Sequence, residues 1–191
     1  MLPVWMSSEK GSFRAAVAKA AGVAEDAIVT GDLFLYDPQK GVTLGEYISA
    51  PRLDDLQCVF GCLEGFLAAK PGGSLPVLAV FNNEEVGSST RQGADSTFLT
   101  DVLERIAHGC GLDSEAWKAA VANSFMVSAD NAHAIHPAHP EYADKGEFPV
   151  LGGGIVIKYN ANQRYTTDAV SGAVFQTVCQ EAGVPVQRYS N

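Results

Sequence analysis

The chain has 191 residues and a formal net charge of -9, with 47% hydrophobic and 18% charged residues. This composition is typical of a globular domain that is long enough for a sizeable core, and it excludes an intrinsically disordered chain. The acidic balance argues against nucleic acid and against an anionic membrane surface as partners, since both require patches of Lys and Arg.

Features of export and membrane insertion are absent from the sequence. The apolar stretch at residues 1–6 is short and carries no signal-peptide cleavage pattern. No apolar run approaches the roughly 20 residues of a membrane span. Two of the four cysteines, Cys58 and Cys62, have helical spacing in an apolar run, which indicates core thiols; a zinc or redox role is the alternative. We therefore expect a reducing, cytoplasmic location.

The first part of the chain predicts short elements. A helix is expected over residues 13–21 with Ser12 as its N-cap, and a strand over residues 27–36, which are apolar and β-forming. Residues 37–41 have the composition of a turn, and residues 47–50 predict another short strand.

The middle of the chain alternates helical and apolar stretches. A helix opens at Asp54 or Asp55, because apolar residues then recur at helical spacing, and Pro71-Gly72-Gly73 ends it. Residues 75–81 form a continuous apolar run, typical of a strand buried on both faces of a parallel sheet. Two further helices are predicted over residues 95–108 and 114–122.

The last third predicts strands at residues 125–129, 154–159 and 184–189, and a helix over residues 167–182. Residues 131–152 contain three prolines and are expected to form a long ordered loop, a kind of segment that often carries function. Alternating strands and helices indicate an α/β fold with a mostly parallel sheet flanked by helices.

Four acidic residues follow predicted strands: Asp54, Glu84, Glu85 and Asp130. Ligands bind at the carboxyl ends of strands in open α/β sheets, so these carboxylates are expected to converge on one edge. Converging carboxylates repel each other, and metal ions are the simplest compensation. Two zinc ions about 3.5–4 Å apart can share a carboxylate and activate a bridging water. Adjacent glutamates point to opposite sides of an extended chain, so one can bind metal while the other accepts a proton.

Structural interpretations of the same residues stay open on spacing alone. The glutamate pair could belong to a solvated loop, Asp54 could be a helix N-cap, and Asp130 could be a turn former.

Four sequence blocks resemble the aspartyl aminopeptidases, the M18 family of metallopeptidases. They are Ala-Pro-Arg-Leu-Asp-Asp-Leu (50–56), Leu-Ala-Val-Phe-Asn-Asn-Glu-Glu-Val-Gly-Ser (78–88), Ser-Ala-Asp-Asn-Ala-His-Ala-Ile-His-Pro (128–137) and Val-Ile-Lys-Tyr-Asn-Ala-Asn-Gln-Arg-Tyr (156–165). The blocks occur in the family's order, and the resemblance covers residues 28–191. It implies an incomplete zinc-exopeptidase catalytic domain of the phosphorylase/hydrolase-like type.

The resemblance also implies roles for matching residues. Asp54 would bridge two metals, Glu84 would be the general base, and Glu85 and Asp130 would each bind one metal. Lys158 would face the acidic side chain of the substrate's first residue, which is reasonable because an ammonium pairs with a carboxylate. A surface lysine that ends a strand is the alternative.

The histidines call for a separate interpretation, because clustered histidines suggest zinc. The resemblance instead makes His133 and His136 residues of the substrate pocket or of the assembly, with direct metal ligation by His133 as the alternative. His139 lies outside the matched block and is expected at the surface.

Members of the resembled family are much longer than this chain. By that comparison, residues 1–45 would be the tail of a dimerisation domain with connecting strands, and residues 46–191 a partial metallopeptidase domain. Two histidine ligands would lie in segments outside this sequence. We therefore expect the chain alone to bind zinc weakly, and to associate through exposed sheet edges.

The sequence thus predicts a hydrolase: a two-zinc aminopeptidase, with Mn or Co as substitute metals, that removes N-terminal Asp or Glu from peptides as a homo-oligomer. A carboxypeptidase or amidohydrolase of the same architecture is one alternative. A non-catalytic fragment that acts only as a folding or assembly unit is the other.

Overall fold

The structure is a computed structural model that describes residue 5, residues 11–70 and residues 72–190. The chain divides into two compact units, residues 1–51 and residues 52–191. The expected domain boundary after residue 45 stays a prediction. Most of residues 1–6, where a signal peptide was looked for, and Pro71, the expected helix stop, lie outside the described residues.

The first helix in the described residues is α1, Phe13–Ala21, as predicted. The Ser12 hydroxyl accepts a hydrogen bond from the Ala15 N–H at 3.0 Å and so caps the helix. Gly22 ends the helix with φ 69°, a left-handed conformation that glycine adopts without steric cost.

A hairpin closes the first unit. Strands β1, Val42–Leu44, and β2, Tyr47–Ser49, pair antiparallel around a turn in which Gly45 has φ 64°. The strand expected at residues 47–50 is therefore found as β2, whereas the strand expected over residues 27–36 is wrong. That segment has a 3-10 turn at Glu25–Ala27 and then no ladder partner among the described residues of its unit, so Phe34 is 80% exposed.

In its described residues the second unit contains four α-helices and the short 3-10 helix Pro140–Tyr142; the α-helices are α2 Leu53–Ala68, α3 Phe98–Gly109, α4 Ser114–Ala122 and α5 Ala169–Glu181. All four α-helices were predicted, and α4 has the predicted ends. Helix α4 begins where the Asp113 carboxylate accepts from the Ala116 N–H at 2.8 Å. Helix α5 begins at a reciprocal pair of hydrogen bonds between Asp168 and Ser171.

The parallel sheet of the second unit consists, in the described residues, of β3, Ile155–Tyr159, and β4, Val186–Ser190. Helix α5 makes the crossover between them, so the three elements form one β-α-β unit. The predicted strands and helix are confirmed here, with their ends shifted by one or two residues. The second unit is thus mixed α/β, as expected.

Two predicted strands of the second unit are wrong as strands. Residues 75–81 and 125–129 are not paired in a ladder within the described part of the chain. Both keep an apolar character without burial, as the 78% exposure of Leu75 and the 72% exposure of Met126 show. An apolar run predicts a buried strand only where a neighbouring strand and a covering layer are present.

The core of the described residues is small. The buried hydrophobic side chains are Ala18, Ala107, Ile157 and Cys179. The chain exposes 15794 Å², whereas a compact monomer of 20.2 kDa exposes roughly 8,800 Å². Among the described residues, each helix is too short or too polar to cross a lipid bilayer.

We expect Ile157→Ala to lower the free energy of unfolding by about 2 kcal/mol, because the side chain is only 6% exposed at the centre of β3. The matched control is Ile155→Ala on the same strand, where the side chain is 42% exposed and the loss should be below about 1 kcal/mol. Urea unfolding followed by circular dichroism measures both variants, and equal losses would contradict this assignment of the core.

Candidate metal centre

The first two acidic residues of the site lie in an irregular segment at the start of α2. Asp54 (φ -87°, ψ 112°) and Asp55 (φ -115°, ψ 21°) are not helical, and the peptide bond between them is cis. Because Asp55 is also non-helical, Asp54 does not directly precede the regular part of the helix. The N-cap interpretation of Asp54 is therefore wrong, and both carboxylates leave the backbone ahead of the regular helix.

Three carboxylates come together at this point. One oxygen each of Asp54, Asp55 and Asp130 lie within 4.8 Å of one another. Asp55 is half-buried, and its Oδ1 atom is buried without a hydrogen-bond partner in the described part of the chain. A buried acceptor of this kind is costly unless a cation or donor satisfies it, so the arrangement fits a divalent cation. Zinc also accepts carboxylate oxygen, although catalytic zinc sites prefer some nitrogen.

A lysine ammonium lies beside the cluster. Lys158 extends from β3, and its Nζ atom is 2.5 Å from Asp130 Oδ2 and 2.9 Å from the backbone oxygen of Asn131. The Lys158 side chain is only 17% exposed. The interpretation of Lys158 as a plain surface lysine is therefore wrong, because its charge offsets part of the negative charge of the cluster.

The glutamate pair is electrostatically close to the cluster without being one of its three members. Loss of solvation, followed by the Asp130, Glu85 and Asp54 charges, raises the pKa of Glu84. Loss of solvation also raises the pKa of Asp54, with Asp130 and Asp55 as the next causes and Glu85 after them. Of the four carboxylates predicted to converge, Asp54 and Asp130 belong to the close group, whose third member is Asp55, and Glu84 and Glu85 contribute only through their charges.

The loop that carries the glutamate pair is held by its own backbone. The Asn82 N–H donates to the oxygen of Gln92 at 3.0 Å, and the Gly87 N–H donates to the oxygen of Asn83 at 2.8 Å. The Asn83 side chain also donates to the Thr90 hydroxyl at 3.1 Å. Although Glu84 and Glu85 are exposed, they belong to an internally bonded turn and not to an unrestrained solvated loop.

Cys58, one turn into α2, contacts the same region. Its Sγ atom donates to Asn131 Oδ1 at 2.9 Å. Burial, followed by a hydrogen bond with Asp55, raises the pKa of the thiol to about 12, so Cys58 keeps its one hydrogen at neutral pH and shares it between Asn131 Oδ1 and the Asp55 carboxylate. Cys62 is exposed, so the prediction that both are core thiols is wrong for Cys62.

The histidines lie apart from the three carboxylates. His133 Nε2 is 3.3 Å from the Tyr189 hydroxyl, and the two rings meet edge to face with centroids 5.3 Å apart. His136 and His139 face each other, with ring centroids 5.3 Å apart, and His139 is exposed as expected. Within the described residues, the one group placed to hold a cation contains no histidine, so the geometry gives no support to metal ligation by His133.

Two residues of the site were missed in the sequence. Asp55 was grouped with Asp54 only as a helix start, although its position next to a candidate ligand was a signal. Asn131 was treated only as part of a motif, and nothing in the sequence shows that its side chain reaches back to α2.

As the pH is lowered, we expect divalent-cation binding to be lost at a higher pH than the ordinary pKa of an aspartate would predict. The pKa of Asp54 is raised from 3.8, so protons compete with the cation above that value. The folded chain also binds these protons more readily than the unfolded chain, so its metal-free stability falls as the pH rises through the raised pKa. Manganese affinity, measured by electron paramagnetic resonance over a pH series, checks this, and a midpoint at or below 3.8 would contradict it.

Comparison with known proteins places the chain among metallopeptidases. The model of the aminopeptidase I zinc metalloprotease (M18) family matches residues 6–191. A probable M18 family aminopeptidase 2 of Clostridium acetobutylicum is 46% identical over 178 residues, which are 92% of this chain and 41% of that protein.

Solved structures of the same kind have the same fold. The S. cerevisiae mApe1 dodecamer is 33% identical with a TM-score of 0.70, over 93% of this chain and 42% of that one. An M18 aminopeptidase of Thermotoga maritima is 26% identical with a TM-score of 0.79, over 92% of this chain and 41% of that one. The chain thus spans less than half the length of these relatives.

Proposed function

The chain belongs to the M18 family of zinc aminopeptidases, and from this premise we propose that the protein removes N-terminal acidic residues from peptides with the help of two metal ions. The observation that carries the proposal is the approach of the Asp54, Asp55 and Asp130 oxygens to within 4.8 Å of one another. Carboxylates this close repel each other unless a cation lies between them.

The proposed ligands are Asp54, shared by both ions, with Glu85 on one ion and Asp130 on the other. Asp55, with its unsatisfied buried oxygen, is an additional candidate ligand. Bound zinc, or manganese or cobalt in its place, would supply a water of lowered pKa and polarise the scissile carbonyl. The presence of two ions, and not one, is part of the proposal.

Glu84 is the proposed general base. It accepts a proton from the attacking water and passes it to the leaving amine when the peptide bond breaks. A base of this kind works best when its pKa lies near the working pH. The raised pKa of Glu84 moves the carboxyl in that direction and supports the assignment.

Lys158 and His133 are the proposed substrate residues. A cation bound at Asp130 would neutralise the carboxylate with which the Lys158 ammonium is paired, and would leave that ammonium available to an acidic side chain of the substrate. His133, held edge to face by Tyr189, borders the same stretch of chain as Asp130.

We expect Lys158→Met to lower the preference for Asp-peptides over Leu-peptides about tenfold or more, because the variant loses the ammonium that pairs with the acidic side chain. The ratio of kcat/KM values for the two peptides measures this, and any change in metal affinity cancels in it. Lys118→Met, on the exposed face of α4, is the matched control. An unchanged ratio in Lys158→Met would remove this residue from the specificity site.

The experiment that tests the function is release of the first residue from Asp-peptides by the chain in the presence of zinc or manganese. Release of the N-terminal Asp, with no release from the C-terminal end, supports the proposal. Release from the C-terminal end, or cleavage of a non-peptide amide instead, would identify a zinc carboxypeptidase or amidohydrolase. A folded chain with neither activity would refute the proposal for this chain.

Assembly as a homo-oligomer and a cytoplasmic location belong to the same proposal. A dodecamer is described for the yeast relative, which supports an oligomeric state here. The proposed location rests on cysteines that suit a reducing compartment.

A second candidate function is a non-catalytic folding or assembly unit. It is favoured by exposed apolar side chains such as Phe34 and Leu75, which are 80% and 78% exposed. Light scattering tests it: self-association without metal-dependent cleavage would favour this candidate, whereas a monomer would weaken it.

A further inference from the structure

Asn131 ties the segment that carries Asp130 to the beginning of α2. Its Nδ2 atom donates to the backbone oxygen of Leu53 at 3.0 Å, and its Oδ1 atom accepts from Cys58 Sγ at 2.9 Å. Leu53 directly precedes Asp54, so both ends of one carboxamide hold the chain next to the aspartate pair. These contacts join residues more than 70 positions apart in the sequence.

The backbone of Asn131 makes a third link. Its carbonyl oxygen accepts from Lys158 Nζ at 2.9 Å, and the same ammonium pairs with Asp130. Three separate segments therefore meet at one residue: the start of α2, the segment after residue 129, and β3. Each of the three carries a charged group of the candidate centre.

We infer that Asn131 is a positioning residue of the metal centre, and that its carboxamide sets the distance between Asp130 and the Asp54–Asp55 pair. The inference rests on the metal centre of the proposed function. The three aspartates repel one another before a cation arrives, so something must hold the two segments together. Two hydrogen bonds from one half-buried side chain do this at the point where the segments are adjacent.

The chemistry of the contact requires a carboxamide. One end must donate to a carbonyl oxygen and the other must accept from a thiol, which an amide does and a carboxylate does not. An aspartate at this position would face the Leu53 oxygen with a negative charge and add to the repulsion in the cluster. An apolar residue would leave both the carbonyl and the thiol without their partner.

The test is the manganese affinity of the full chain, measured by calorimetry and by electron paramagnetic resonance, in Asn131→Ala. We expect affinity to fall about 10- to 100-fold, the usual effect of removing a group that orients a metal ligand. The metal-free variant should unfold at a somewhat lower temperature, because the Leu53 carbonyl and the Cys58 thiol lose their partner, so affinity is compared at a temperature at which both proteins are folded. Asn123→Ala is the matched control, because Asn123 also donates to a backbone carbonyl, at the end of α4 and outside the cluster.

A pair of Cys58 variants provides a second, independent measurement. Cys58→Ser keeps a donor for Asn131 Oδ1 and should keep the affinity, whereas Cys58→Val removes the donor and should lower it severalfold. If Asn131→Ala fails to fold, this pair tests the Cys58 end of the contact, and it reports on the hydrogen bond of Cys58 with Asp55 as well. Equal affinity in the two Cys58 variants would then overturn the inference.

The outcomes distinguish failure of the metal centre from failure of the positioning role of Asn131. If the unaltered chain binds no manganese, the metal centre of the proposed function fails and the inference fails with it. If the unaltered chain binds manganese and folded Asn131→Ala binds it equally well, the positioning role alone is overturned. Weaker binding in Asn131→Ala and Cys58→Val, with normal binding in Asn123→Ala and Cys58→Ser, supports it.

Discussion

Glu84→Gln should lower the rate of metal-dependent release of an N-terminal Asp about a thousandfold, since general-base catalysis contributes about 10²- to 10⁴-fold. Glutamine has nearly the shape of glutamate but accepts no proton, so the substitution removes the proposed step and leaves the loop in place. The internal hydrogen bonds of that loop involve Asn82, Asn83 and Gly87 and not the Glu84 side chain. Single-turnover rates with zinc or manganese give the measurement.

The control for this variant is Glu115→Gln, which changes an exposed glutamate on α4 that pairs only weakly with Lys118. Its rate should equal that of the unaltered chain. Manganese affinity should change little in Glu84→Gln, because Glu84 is the proposed base and not one of the proposed ligands. Full activity in Glu84→Gln would show that another group accepts the proton.

Asp54→Asn should weaken divalent-cation binding by at least about a hundredfold, because loss of a direct ligand exceeds the 10- to 100-fold cost of losing a group that only orients one. The same change should make the metal-free chain more stable, since it removes a charge that is disfavoured by loss of solvation and then by Asp130 and Asp55, the causes that raise the pKa of Asp54. A loss of metal affinity together with a gain in metal-free stability distinguishes a ligand from an ordinary structural residue. Calorimetric titration and thermal unfolding in a chelator measure the two quantities.

Asp101→Asn is the matched control for this substitution. Asp101 is exposed on α3 and accepts from the Thr97 hydroxyl, away from the cluster, so neither quantity should change appreciably. If Asp54→Asn bound manganese as tightly as the unaltered chain, Asp54 would not be a ligand and the shared-carboxylate proposal would have to be abandoned.

The helices could be predicted from the sequence because their signals are local. Ser12 and Gly22 bound α1 through hydrogen bonds and backbone angles set within a few residues, and Asp113 does the same for α4. The β-α-β unit was predicted for a similar reason, since its helix and two strands follow each other in the chain.

Isolated strands were the least predictable elements. Whether residues 27–36 or 75–81 form a strand depends on a partner that is distant in sequence, and an apolar run indicates only that such a partner would be favourable. Only β2 of the β1–β2 hairpin was predicted, because the three residues Val42–Leu44 are too short a run to identify as a strand without their partner.

In the candidate site, too, contacts between residues distant in sequence were harder to predict than local features. The approach of Asp54 and Asp130 agrees with the expected convergence, but not for the expected reason, because residues 125–129 form no strand in the described part of the chain and the strand before Asp54 belongs to the β1–β2 hairpin. The position of Asp55 depends on non-helical backbone angles that the sequence does not reveal. The ion pair between Lys158 and Asp130 joins residues 28 positions apart and needed the structure to be seen.

The large exposed surface also affects how the chain responds to denaturant and to heat. Unfolding exposes only the surface that folding has buried, and here that amounts to about two-thirds of what a compact domain of the same mass would bury. Both the slope of stability against urea and the heat-capacity change on unfolding scale with that surface. The isolated chain should therefore unfold over a broad range of urea concentration, and a sharpened transition on adding a partner would report how much apolar surface the partner covers.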